Sequence, residues 1–230
     1  MNNVAAILKK QLKDTFKNKT ILIQFIMFPL MTLIMNNAMK IEGMPENFFV
    51  SMFATMYIGM APLTSMAAVI AEEKENNTLR VLLMSNVKPW EYLLGIGSYI
   101  WFACMIGAVV ICDAGSYSMQ ERLYFMSVMA IGILASLLMG AAIGVFSKTQ
   151  MMATSVTVPV MIIFSFAPML SMFNDAIAKI AKFMYSRQIG IMLDQIHSLQ
   201  LGINSICIVM ANVFLFAVLF MAAYKKCRLQ

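Results

Sequence analysis

Six apolar runs alternate with short polar stretches along the chain, at residues 20–39, 48–71, 93–112, 123–146, 151–173 and 203–223. A bilayer's hydrocarbon core is about 30 Å thick and a helix rises about 1.5 Å per residue, so about 20 apolar residues cross it. Each run therefore predicts a spanning helix, and the fold class is all-α integral membrane. Residues 1–19 read differently: Val4, Ile7, Leu8, Leu12 and Phe16 share one helical arc, and Lys9, Lys10, Lys13 and Lys17 share the other. That is the pattern of an amphipathic elbow helix lying on an anionic leaflet. Although it starts basic like a signal peptide, the run after it is long and lacks a small-residue cleavage site, so it reads as a retained span.

Residues 174–200 carry two further apolar stripes, Ile177, Ile180, Ala181 and Met184, then Ile189, Met192, Leu193, Ile196 and Leu199. Both stretches are too short and too polar to span, so they predict two short outer helices lying at, or dipping into, the membrane face. Pro29, Pro62, Pro159 and Pro168 fall inside spans and predict kinks, with the fifth span broken at its two prolines. Gly132, Ser136, Gly140 and Gly144 recur every fourth residue of the fourth span, a stripe of small side chains that lets a neighbouring backbone approach closely.

Composition agrees with the pattern: 61% of the 230 residues are hydrophobic and 12% charged, against roughly half and a quarter in soluble domains. Of the 17 lysines and arginines, twelve flank one side of the spans and five the other. The positive-inside rule then puts both termini and residues 72–92 in the cytoplasm of a multi-pass membrane protein. The 25 methionines fit a pliable surface able to repack around varied ligands, or lipid-facing filler.

Several chemistries are missing. No Asp, Glu, Lys, Arg or His lies in the interior of a run, which argues against ion- or proton-coupled transport. There is no phosphate-binding loop, so this chain does not hydrolyse ATP by that route. Asp194 and His197 lie three residues apart but supply only two metal ligands, so an exposed polar face is the better reading. The cysteines form no paired motif. No catalytic, cofactor-binding or metal residue is assigned, and no nucleic-acid partner.

The polar stretch at residues 72–92 is the chain's most individual feature. Glu72, Glu73 and Glu75 crowd the end of the second span, Asn77 or Thr78 can cap a new helix, and Leu79, Leu82 and Leu83 share a face with Val87 nearby. Here Glu73-Lys74-Glu75, Thr78-Leu79, Leu82-Leu83, Ser85, Val87 and Glu91-Tyr92-Leu93-Leu94-Gly95 resemble the ABC-2 family of ATP-binding-cassette exporter permeases. Asn77 stands where the family has Gly, Arg80 for Glu, Asn86 for Pro and Ile96 for Lys. The resemblance extends through the elbow, the six spans and the outer short helices.

It implies that residues 77–86 form a coupling helix docking into a cytoplasmic ATPase, with contacts from Glu72, Glu73, Glu75, Thr78, Leu79, Arg80, Leu82, Leu83, Ser85 and Val87. ATP and magnesium would sit on that partner, present in two copies beside two permeases, as a homodimer or heterodimer, with the pathway between them lined by spans one, two and five. The small size and absent outer domain resemble Gram-positive exporters of amphipathic peptides, such as phenol-soluble modulin and bacteriocin immunity permeases. A lipid or hydrophobic drug is the alternative cargo. A membrane scaffold or sensor that recruits a cytoplasmic partner without pumping is the alternative class.

Overall fold

The computed structural model of the chain describes residues 19–38, 47–78, 89–198 and 202–227. Among these residues all regular structure is helical: α1 (Lys19–Ala38), α2 (Phe48–Glu75), α3 (Pro89–Ala114), α4 (Met119–Phe146), α5 (Gln150–Leu170), α6 (Asp175–Ala181), α7 (Tyr185–Asp194) and α8 (Ile203–Cys227), with a 3-10 turn at Ile196–Ser198. Six of these, α1 to α5 and α8, are long and apolar enough to cross a membrane. The molecule is therefore an all-α, six-span protein. The elbow, with Lys9, Lys10, Lys13 and Lys17, lies outside the described residues.

Helix ends follow caps rather than the edges of the apolar runs. α4 begins at Met119 because Ser118 and Glu121 form a reciprocal capping box: the Ser118 N–H donates to Glu121 Oε2 at 2.7 Å and the Glu121 N–H donates to Ser118 Oγ at 3.4 Å. Thr149 caps α5 through the Met152 N–H, and Asn174 caps α6 through the N–H groups of Ala176 and Ile177. The expected break in the fifth span does not occur: α5 is continuous through Pro159 and Pro168. α1 and α2 likewise run on through Pro29 and Pro62. In α2 the reason is visible, because the Ile58 carbonyl that Pro62 leaves without a helical donor accepts instead from Ser136 Oγ at 2.6 Å.

α2 is the hub, with 83% of its most apolar window buried inside the bundle, against 22% for α1, 28% for α5 and 11% for α8. It packs on α1, α3, α4, α5 and α7. The small stripe of α4 makes the central contact possible. A Cβ on Gly140 would strike the Leu63 carbonyl, and one on Gly144 would come within 2.9 Å of Ile70 Cβ; Gly132 lies against Ile58 and Ile189. The α2–α5 contact is equally close at Gly59, where a Cβ would meet the backbone of Phe164 and Ser165 at 2.8 Å.

The two short helices behave differently from each other. α6 packs chiefly on α5, with Ala181 buried and Ile180 67% exposed. α7 is re-entrant: Tyr185 at its start is fully buried beside Ser136, deep in α4, with the two hydroxyls 2.7 Å apart. Tyr185, Ile189, Met192 and Leu193 pack into the core among α2, α4, α5 and α8. At this far end of the bundle His197 Nδ1 lies 2.6 Å from Glu121 Oε1. Arg122 pairs with Asp113 at 2.6 Å, and Asn36 Nδ2 donates to the Ala114 carbonyl at 2.7 Å.

Candidate functional site

At the opposite end of the bundle the charged motif is built into helix ends. α2 does not stop at residue 71 but continues to Glu75, so Glu72, Glu73, Lys74 and Glu75 form its last turn. It ends because Asn77 adopts φ 56°, the left-handed conformation that closes helices and that favours glycine, with asparagine next best. This accounts for the departure from the family pattern, since Asn77 stands in the family's glycine position and takes a glycine's conformation. The Thr78 hydroxyl then donates to the Glu73 carbonyl at 3.0 Å, tightening the turn.

Each member of the Glu73-Lys74-Glu75 triplet reaches a different helix. Glu73 is buried at 7% exposure, close to the fully buried Tyr92 near the start of α3, whose hydroxyl has no hydrogen-bond partner among the described residues. Lys74 Nζ donates to the carbonyls of Val145 and Ser147, the latter at 2.7 Å, where α4 ends with acceptors its own backbone leaves unused. Glu75 Oε2 accepts from the Gln150 N–H at 2.7 Å, placing a carboxylate on the first turn of α5, where the helix dipole favours negative charge. One turn of α2 therefore ties the ends of α4 and α5 together by hydrogen bonds, while α2 packs against α3.

Tyr92, part of the family motif, is fully buried. Lys74, which had no assigned role beyond the motif, makes the most extensive tie of the group; the signal that pointed to it was its place between two glutamates at a helix C-terminus. Ile96, where the family carries a lysine, is also fully buried, a position that would leave an ammonium without water.

Glu72 is half-buried and Thr78 exposed. Leu79, Arg80, Leu82, Leu83, Ser85 and Val87 lie outside the described residues. Of the polar pair at the far end, His197 faces Glu121 and Asp194 is exposed. No group of three or more potential metal ligands occurs among the described residues.

The fold is a polytopic helical bundle whose second span ends in a charged, internally tied turn. The model of the ABC-2 family transporter proteins matches residues 1–224, and the chain belongs to that family. It is a transmembrane component of an ABC transporter and is not itself catalytic; the family implies an ABC ATPase as partner and a membrane as its setting. The comparison with curated proteins returned no match.

Proposed function

We propose that this chain is the permease subunit of an ATP-driven exporter that moves amphipathic, antimicrobial-type peptides out of the cell or the membrane. The observation that carries the reading is the pair of ties from Lys74 to the end of α4 and from Glu75 to the start of α5, directly before the residues whose pattern suits docking to an ATPase. A push delivered at residues 77–86 reaches the C-terminal turn of α2, and through it α3, α4 and α5 together. The hub helix and its neighbours then shift as one body when the motor closes. Two permeases and two ATPases complete the assembly, with both termini and the tied end in the cytoplasm, in keeping with the Lys and Arg bias.

The peptide assignment rests on chemistry. Spans without internal charge and rich in methionine suit an apolar or amphipathic cargo better than a sugar or an ion. The test is to co-purify the chain with candidate ABC ATPase subunits from its own genome and to measure ATP hydrolysis with and without amphipathic helical peptides. Stimulation by peptide, lost in Leu82→Asp and Leu83→Asp while the permease stays folded, is the expected result. An ATPase that neither co-purifies nor responds would overturn the exporter reading.

A further inference from the structure

The apolar runs carry no charge in their interiors, but the re-entrant helix brings one in. Arg187 follows Tyr185 by two residues, and Tyr185 lies beside Ser136, deep in α4. The joint before α7 is fixed from two sides: Gln188 Nε2 donates to the Lys182 carbonyl at 2.5 Å, and Asn212 Nδ2 of α8 donates to the Phe183 carbonyl at 2.9 Å. Asn212 lies nine residues, about 14 Å, into α8. The start of α7 is therefore held at span depth, and Arg187 with it.

Arg187 lines a cavity of about 20 Å³ between α2, α5 and α7, at the end of the bundle opposite the charged turn; Ser51 and Thr55 of α2, Met169 and Met172 of α5 and Asp194 of α7 form much of its wall. The arginine is half-buried, and its guanidinium makes no ion pair or hydrogen bond among the described residues. A charged group at such depth faces the bundle interior or a wet cavity and pairs there; this one has the cavity and no pair. Asp194, the one carboxylate on the lining, is exposed and lies seven residues, about 10 Å, further along α7. Ser51 Oγ and Thr55 Oγ1 donate to the carbonyls of Phe48 and Met52, at 3.1 and 2.7 Å, and a hydroxyl can turn to donate to an oxyanion instead. The volume is that of roughly one water, so it admits the tip of a carboxylate and no larger part of a ligand. A guanidinium matches that group through its planar fork of N–H donors.

We infer that Arg187 is a specificity-determining contact for cargo, pairing with a carboxylate of an amphipathic peptide at the far end of the bundle, a role that rests on the peptide-export reading above. The full-length chain is purified in detergent, and fluorescence anisotropy measures its affinity for a labelled amphipathic helical peptide that has no acidic side chain. The peptide is made with a free C-terminal carboxylate and as its C-terminal amide. The carboxylate form is expected to bind about tenfold more tightly. Arg187→Gln keeps the affinity for the amide and loses the preference, and Arg187→Glu reverses it. Asp194→Asn, at an exposed position, removes the competing charge from the rim and widens the preference severalfold. Equal affinities for the two peptides in the parent chain overturn the carboxylate site while leaving peptide binding intact, whereas binding of neither peptide overturns both readings. A preference that survives in a folded Arg187→Gln chain puts the carboxylate elsewhere. Should neither Arg187 variant fold, a preference that Asp194→Asn leaves unaltered overturns the site as well.

Discussion

Ser136 of α4 donates its hydroxyl to the Ile58 carbonyl of α2 at 2.6 Å, the acceptor that Pro62 strips of its helical partner. The Tyr185 hydroxyl lies 2.7 Å from Ser136 Oγ, so one serine joins the hub helix, the small-residue stripe and the re-entrant helix. Ser136→Ala is expected to destabilise the protein by about 2 kcal/mol, since it leaves a buried carbonyl and a buried phenol without this partner. Pro62→Ala returns an N–H to the Ile58 carbonyl, so in that background the same substitution should cost less. A double-mutant cycle read by thermal unfolding in detergent measures the difference, and strictly additive effects would separate Ser136 from the proline.

Lys74 spans from the last turn of α2 to two carbonyls at the end of α4. Hydrogen bonds to charged groups contribute about 1.5–3 kcal/mol, and the side chain's partial exposure puts Lys74→Met at the lower end of that range. The expected outcome is a modest fall in melting temperature. On the peptide-export function proposed above, it should also reduce peptide-stimulated ATP hydrolysis more than basal hydrolysis, since the proposed joint between α2 and α4 is loosened.

Asn77 separates two substitutions that both remove its side-chain amide. Gly adopts φ 56° without strain, so Asn77→Gly should leave the melting temperature unchanged or raise it. Asn77→Val forces a β-branched residue into the left-handed region and should cost about 1–2 kcal/mol. Equal melting temperatures for the two would mean that this backbone conformation does not terminate α2.

Gly140 offers a test of the α2–α4 contact. Its missing Cβ leaves room for the Leu63 carbonyl, and backbone yields less readily than a flexible side chain. Gly140→Ala is expected to destabilise by about 1–3 kcal/mol through overpacking, despite alanine's better helix propensity. A neutral or stabilising effect by thermal unfolding would put the close approach elsewhere on the stripe.

The spans were legible in the sequence because hydrocarbon imposes a simple rule, a long apolar run, on any helix that crosses it. Their ends were less so, since the Ser118–Glu121 box and the left-handed Asn77 are local polar devices beyond the runs themselves. The stripe from Gly132 to Gly144 could be read as a close-packing face, but not its neighbour, because spacing carries no information about which helix approaches. The charged turn stood out by composition, whereas the inward direction of Glu73 and Tyr92 was hidden: amphipathic pattern places a residue on a face and leaves open whether protein, lipid or water covers it. Ser136 gave the least warning, since its bond to Ile58 answers a proline 74 positions away in the sequence.

The re-entrant helix also bears on biogenesis. α7 is ten residues long, too short to be inserted as a span, and Tyr185 finds its neighbours Ser136, Phe164 and Phe216 on α4, α5 and α8. Two of those helices precede it in synthesis and one follows. Its seat therefore exists only after the final span has entered the bilayer, which makes the docking of α7 a closing step of assembly, one that a chain interrupted before α8 never reaches.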